Sequence, residues 1–208
     1  MRHLLLAALA LGLTTTAQAQ FSDTEGFQLG ASLYATSLTL DFDDASLGDE
    51  VGSIDDKIDF SGGGLGVRLG YGFSRLFTLY ADLGAANVEA EDEDEDEGAA
   101  AHFELGGEFS FGTPAQQWVP FVNVALQGFA IGDEEDGDSY AFSGGGIKVG
   151  GGVSYFLTPQ FAARAALSAS AGSITQFNIE SDGVDVSVDV EDATYTTGRL
   201  HLGVTYRF

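Results

Sequence analysis

Every second residue of the closing stretch is apolar. Leu200, Leu202, Val204, Tyr206 and Phe208 alternate with His201, Gly203, Thr205 and Arg207. Successive side chains of a strand point to opposite faces, so alternation over nine residues predicts a strand with one greasy and one polar face. The greasy face ends on an aromatic ring, which suits contact with lipid better than contact with water. One such strand is not stable alone, so the chain must supply others of the same kind.

Seven earlier stretches carry the same pattern. Phe27, Leu29, Ala31 and Leu33 alternate with Gln28, Gly30, Ser32 and Tyr34. Leu65, Val67, Leu69, Tyr71 and Phe73 alternate with Gly66, Arg68, Gly70 and Gly72. After a short connection, Phe77, Leu79, Ala81 and Leu83 alternate with Tyr80 and Asp82, which predicts a tight hairpin. Phe103, Leu105, Phe109 and Phe111 then oppose His102, Glu104 and Glu108, and a strand from Trp118 opposes Val122, Val124 and Leu126 to Asn123, Ala125 and Gln127. Ile147, Val149, Val153 and Tyr155 alternate with Lys148, Gly150 and Ser154, and Phe161, Ala163, Ala165 and Leu167 alternate with Ala162, Arg164 and Ser168. Eight strands of roughly nine to eleven residues each match the length that a tilted strand needs to cross a bilayer.

Charge divides the connections into two kinds. The formal net charge is -24, and 27 of the 32 acidic residues fall in four patches, 41–59, 89–97, 133–138 and 180–192. These patches are expected as long solvated loops, with a hairpin over 184–190 after the turn signal Asp182-Gly183, alternating with three short turns. An even strand count puts both termini at the short-turn end. Tyr71, Phe73, Phe77, Phe109, Phe111, Trp118, Tyr155, Phe161, Tyr206 and Phe208 all lie beside a short turn or the C-terminus, as a membrane-interface girdle requires. A soluble carrier barrel would point its large apolar residues inward instead. The girdle favours the membrane version: an all-β, eight-stranded, antiparallel, up-and-down transmembrane β-barrel.

This parity turns charge into the barrel. Arg68, Lys148, Arg164, Arg199 and Arg207 fall on inward positions, as do Asp82, Glu104 and Glu108. A barrel of eight strands is just wide enough for its side chains to fill it, and buried charges must be paired or wet. Arg68, Asp82, Glu104, Glu108, Lys148, Arg164 and Arg199 are therefore expected to form an internal ion-pair network. Arg68 and Asp82 are equidistant from one turn and should be cross-strand neighbours.

The N-terminus reads as a targeting segment. Arg2 and His3 precede an apolar run, Leu4–Leu13, and Ala17-Gln18-Ala19 is an A-x-A cleavage site. Residues 1–19 are expected to be a secretory signal peptide and 20–208 the barrel. The chain lacks cysteine, which excludes a disulfide framework and thiol chemistry. An acidic balance this strong argues against nucleic acid as a partner.

Over Phe27–Phe208 the strand alternation, loop asymmetry, inward charges and closing LHLGVTYRF resemble the small eight-stranded bacterial outer-membrane barrels of the OmpA and OmpX type. The resemblance implies a location in the cell outer membrane with periplasmic termini and a monomer surrounded by lipid and lipopolysaccharide. It also implies that Phe208, with Tyr206 two residues earlier, is the signal read by the barrel-assembly machinery. The sequence runs no further than Phe208, which puts the peptidoglycan-binding domain of full-length OmpA in doubt here.

Chemistry is scarce. The lipid A deacylases among such barrels need an outward His–Ser pair with a carboxylate. Here His102 and His201 are both inward and neither adjoins a serine in sequence, so no catalytic residue is assigned. No His spacing suits zinc, and residues 133–138 lack the EF-hand order, so no metal site and no cofactor is assigned beyond weak divalent-cation binding by the acidic loops. Two functions remain: a plugged barrel with a structural or surface-interaction role, displaying acidic loops to a surface protein partner, or a narrow porin-like channel for small solutes.

Overall fold

In the computed structural model the described residues are 24–42, 45–46, 53–54, 57–90, 97–135, 138–181, 184–190 and 192–208. The expected signal peptide, 1–19, lies outside them, as do 91–96 and parts of the other acidic patches. Eight long strands form the barrel: β1 (Gly26–Asp41), β2 (Lys57–Gly72), β3 (Phe77–Ala90), β4 (Glu97–Ser110), β5 (Trp118–Glu135), β6 (Asp138–Phe156), β7 (Phe161–Ser181) and β8 (Thr194–Arg207). Each pairs antiparallel with its neighbours in sequence, and β8 pairs with β1 along Gln28–Asp41, so the sheet closes on itself. Closure leaves the ring of eight strands without a free edge, a condition for strands in lipid. No helix among the described residues is long and apolar enough to cross a membrane.

Short polar turns set the register at one end. The Ser74 hydroxyl accepts hydrogen bonds from the backbone N–H of Leu76 and Phe77 at 3.3 and 3.2 Å, and the Thr158 hydroxyl accepts one from Phe161 at 3.0 Å. Such Ser/Thr contacts hold a chain reversal without a second strand's help. Above the Ser74 turn Leu69 faces Ala81 and Arg68 faces Asp82, as equal spacing from the turn predicts.

The lipid-facing band has the expected parity. Leu65, Val67, Leu69 and Tyr71 of β2, Phe103, Leu105 and Phe109 of β4, and Leu200, Leu202, Val204 and Tyr206 of β8 are all exposed. Nine residues rising about 3.3 Å each, tilted about 40°, climb about 23 Å, close to the ~25 Å apolar band of outer-membrane barrels. Below the band the aromatic girdle is continuous: Phe27 meets Tyr71 at 4.9 Å between ring centroids, Tyr71 meets Phe73 at 5.0 Å, and Phe77 meets Phe109 at 5.2 Å. Phe27 belongs to this girdle although it is absent from the sequence-based set.

Two expectations about the acidic end need correction. The strands are 14 to 21 residues long, not nine to eleven. The patch at 133–138 is not a long loop either: Asp133, Glu134 and Glu135 pair with Tyr140, Ser139 and Asp138 as the top of the β5–β6 hairpin. Residues 184–189 pair with Gln176–Ser181 at the top of β7, as the alternation after Asp182-Gly183 predicts, and two-residue strands at Ala45–Ser46 and Ser53–Ile54 pair with each other.

The reason is a change of phase. In β1 the apolar residues shift from odd positions (Phe27, Leu29, Leu33) to even ones (Leu38, Leu40, Phe42), and the even ones are buried. In β3 they shift from Leu79 and Leu83 to Val88, and in β5 from Val124 and Leu126 to Phe129 and Ile131. No register shift occurs in the pairings of β1 with β2 or β8. The same continuous strands are thus apolar outside at one level and apolar inside at the next.

Candidate functional site in the barrel lumen

The interior is filled in three layers. At the short-turn end Val119, Phe156 and Ala162 form a small buried cluster, with the Arg207 guanidinium 4.4 Å from the Phe156 ring centre. At the acidic end Leu38, Leu40, Phe42, Val88, Phe129, Ile131, Ile174 and Tyr195 belong to a larger cluster. Phe129 and Tyr195 reach across the lumen to a centroid separation of 4.1 Å.

The middle layer holds the charges, organised around two buried carboxylates. Glu108 of β4 accepts hydrogen bonds from Arg164 at 2.6 and 3.0 Å and from Arg68 at 3.0 Å. Arg68 also donates to its cross-strand neighbour Asp82 at 2.9 Å. One level higher Glu104, completely buried, accepts from Arg199 at 3.0 Å and from Lys148. His102 bridges the two groups, its Nε2 lying 3.5 Å from Asp82 and 3.7 Å from Glu104. The seven residues of the sequence-based set thus fall into two adjacent ion-paired groups, Arg68, Asp82, Glu108 and Arg164 in one and Glu104, Lys148 and Arg199 in the other, with His102 between them. Charge-assisted bonds of this kind are about twice as strong as neutral ones, and they satisfy groups that could not remain bare in a narrow lumen.

Several members of this layer were not singled out from the sequence. Tyr80 is 2% exposed and lies beneath the Arg68 guanidinium, 4.0 Å from ring centre to charge. Arg164 lies 4.1 Å from the Phe121 ring centre. Both rings share the inward parity of their charged neighbours, so alternation marks them, although only the structure gives the stacking. Gly84 makes room for His102: a Cβ there would lie 2.3 Å from the imidazole Cε1. A serine does meet a histidine in space, Ser168 Oγ lying 3.3 Å from His201 Nε2, even though the two are 33 residues apart. The pair faces a lumenal cavity of about 40 Å³, room for about three waters and not for an acyl chain. A second cavity, about 20 Å³, separates Arg199 and His102 from the apolar layer above. Among the described residues no group of His, Asp and Glu is placed to hold a metal ion.

Tyr206 and Phe208 stand on the outward face, 5.0 Å apart between centroids. Phe208 is among the most exposed large apolar residues and donates its backbone N–H to Phe27 O at 3.0 Å. The closing strand is thereby stitched to β1 up to its last residue.

A family model for the outer membrane protein beta-barrel domain matches residues 5–208. The chain belongs to this family. Solved structures of similar outer-membrane barrels share its fold. Neisserial surface protein A (NspA) is 16% identical, with 88% of this chain and 98% of that one covered and a TM-score of 0.61. OprG from Pseudomonas aeruginosa is 14% identical, covering 92% and 99%, also at 0.61. AlkL, solved in lipid bilayers, is 14% identical, covering 94% of each chain at 0.56. A comparison with curated proteins returned no match. This is therefore an outer-membrane β-barrel whose surroundings are the lipid and lipopolysaccharide of that membrane.

Proposed function

We propose that this outer-membrane barrel is a closed cylinder with a structural or surface-interaction role, plugged by its charged middle layer and presenting its acidic end outside the cell. The observation that supports the reading is that side chains occupy the lumen at each level among the described residues and leave cavities of only about 40 and 20 Å³. The Glu104 and Glu108 clusters cross the middle, and apolar side chains seal both ends. Glu104, Glu108 and Arg68 each bond two partners of opposite charge, so opening the plug costs several bonds at once.

The short-turn end, with both termini, faces the periplasm in this reading. The aromatic girdle and the four acidic patches at the opposite end support it, since short periplasmic turns and longer outer loops are the rule in such barrels. Residues 1–19 are removed as a signal peptide, and Tyr206 with Phe208 serves as the assembly signal. Carboxylates at the outer end repel one another over about 8 Å at physiological ionic strength, and loosely held divalent cations relieve that repulsion. The outer edge of residues 184–189 is a strand edge to which a surface protein could add. No catalytic role is assigned to the lumen, and the barrel acts as a monomer.

Planar-bilayer recording tests the plug. Wild-type protein should show no steady conductance, and Asp82→Ala, which frees Arg68 on one side, should show brief openings. A second reading, a narrow channel for small solutes, is favoured by the cavity on the small-residue side of the lumen, where Gly30, Gly203 and Ala166 face the charges. Steady wild-type conductance would replace the first reading with the second. Proteolysis of intact cells tests orientation: cleavage at Ser74-Arg75 or Thr158-Pro159 from outside would invert it.

A further inference from the structure

The protein carries a large negative charge, yet its lumen is biased the other way. Arg68, Lys148, Arg164 and Arg199 share three carboxylates, Asp82, Glu104 and Glu108. The imbalance is concentrated on one side. Arg68, Lys148, Arg164 and His201 line the 40 Å³ cavity, whereas of the three carboxylates only Asp82 does. Glu104 and Glu108 hold their cations from the far side, so the cation flanks left over turn toward the small residues of β1, β7 and β8.

The remaining cavity wall supplies neutral donors. Hydroxyls of Ser32, Ser168 and Thr205 border it, and each can rotate its O–H toward a guest. Asn123, 7% exposed, also borders it, and its Oδ1 has no hydrogen-bond partner among the described residues. A half-turn of the amide would place its NH2 there instead, a donor in place of an acceptor. With its oxygen toward the cavity the amide accepts from a donor such as water, and with its NH2 toward the cavity it donates to an anion. Lys148 has three N–H donors and points one at Glu104.

We infer that this cavity is a binding site for one small inorganic anion of about chloride's size, held by Lys148, Arg164 and Arg68 and by the surrounding hydroxyls. Three features converge on an anion rather than a cation or an organic ligand: three positive side chains against one carboxylate, a ring of hydroxyl donors, and a volume of a few waters. The bound anion would neutralise the excess charge that the three carboxylates leave. The site is independent of whether the barrel conducts, because a plug and a narrow pore would both enclose it.

The test uses the refolded full barrel in detergent, unfolded by heat in sodium chloride, sodium bromide or sodium gluconate at equal ionic strength. Chloride and bromide should raise the unfolding midpoint saturably, and gluconate, too large to enter, should not. Lys148→Gln should abolish the halide effect. If that variant fails to fold, Asp82→Asn is decisive. Removing the one lining carboxylate should lower the bromide concentration needed for half the effect by about tenfold, because a charge a few ångströms away no longer repels the guest. Bromide-soaked crystals should show an anomalous peak between Lys148 and Arg164. Midpoints that are equal in halide and gluconate, a halide effect that Asp82→Asn weakens or leaves unchanged, or bromide found on the surface only would each overturn the inference and leave the cavity to water.

Discussion

The lipid-facing level and the acidic-end level of this barrel are made from the same eight strands, with opposite chemistry. In the lower level the outward rows are Leu, Val and aromatic residues and the inward rows carry Arg, Lys, Asp and Glu. In the upper level Asp59, Ser61, Asn87, Glu89 and Thr196 face out while Leu38, Leu40, Val88, Ile131 and Tyr195 pack inside. The ladders of β1 with β2 and β8 run through both levels without a register shift, and that of β6 with β7 slips once, at Ser143/Gly144. What differs is the solvent each wall meets. Where lipid surrounds the wall, hydrophobicity is spent on the outside, and the interior must cohere by charge and hydrogen bonds. Where water surrounds it, the hydrophobic effect works inward and builds an ordinary core. The phase shift in β1, between Leu33 and Leu38, therefore reads as the membrane boundary on the acidic side.

The comparison can be broken first at its charged centre. Glu104→Ala leaves Lys148 and Arg199 buried around a missing carboxylate and should cost about 3–5 kcal/mol in urea unfolding of the lipid-inserted protein. A loss within about 0.5 kcal/mol would mean that the lumen is wet enough to screen them. The upper core comes next. Leu40→Ala should cost about 2–5 kcal/mol because a cavity remains. The same truncation at lipid-facing Leu69 should cost less, since acyl chains fill the space. Equal losses would remove the distinction between the levels. A third comparison stays on one face of one strand. Leu69→Arg puts a charge in the lipid band and should cost about 2–4 kcal/mol. Ser61→Arg, eight residues along β2 on the same exposed face, should change stability by no more than about 0.5 kcal/mol.

Much of this was legible in the sequence, for a local reason. Alternation fixes which face a residue takes, and a short turn fixes register, so Arg68 opposite Asp82 follows from counting. Contacts across the lumen do not follow from counting. Whether Arg164 reaches Glu108, or Arg199 reaches Glu104, depends on barrel diameter and strand stagger, which alternation does not encode. The Ser168–His201 contact was missed for a related reason: adjacency was sought in sequence, whereas the residues lie on the paired strands β7 and β8. At 133–138 the density of carboxylates predicts a loop, yet charge marks solvated chain and not irregular chain, and the strands run on into a hairpin. The signal against that reading was present. Leu38, Leu40 and Phe42 alternate as cleanly as Phe27, Leu29 and Leu33, one residue out of phase, and a phase slip without a bulge marks a change of solvent and not the end of a strand.

The central claim is that one continuous wall passes from lipid to water between Ser61 and Leu65. The chain has no native cysteine, so single cysteines can carry a spin label along the outward face of β2 at Asp59, Ser61, Gly63, Leu65, Val67, Leu69 and Tyr71. Collision rates with oxygen, which concentrates in lipid, and with a water-soluble nickel chelate would be measured at each site in reconstituted bilayers. Oxygen should dominate at Leu65, Val67 and Leu69, and nickel at Asp59 and Ser61, with the crossover near Gly63. Oxygen dominance persisting through Asp59, or nickel dominance at Leu69, would contradict the account.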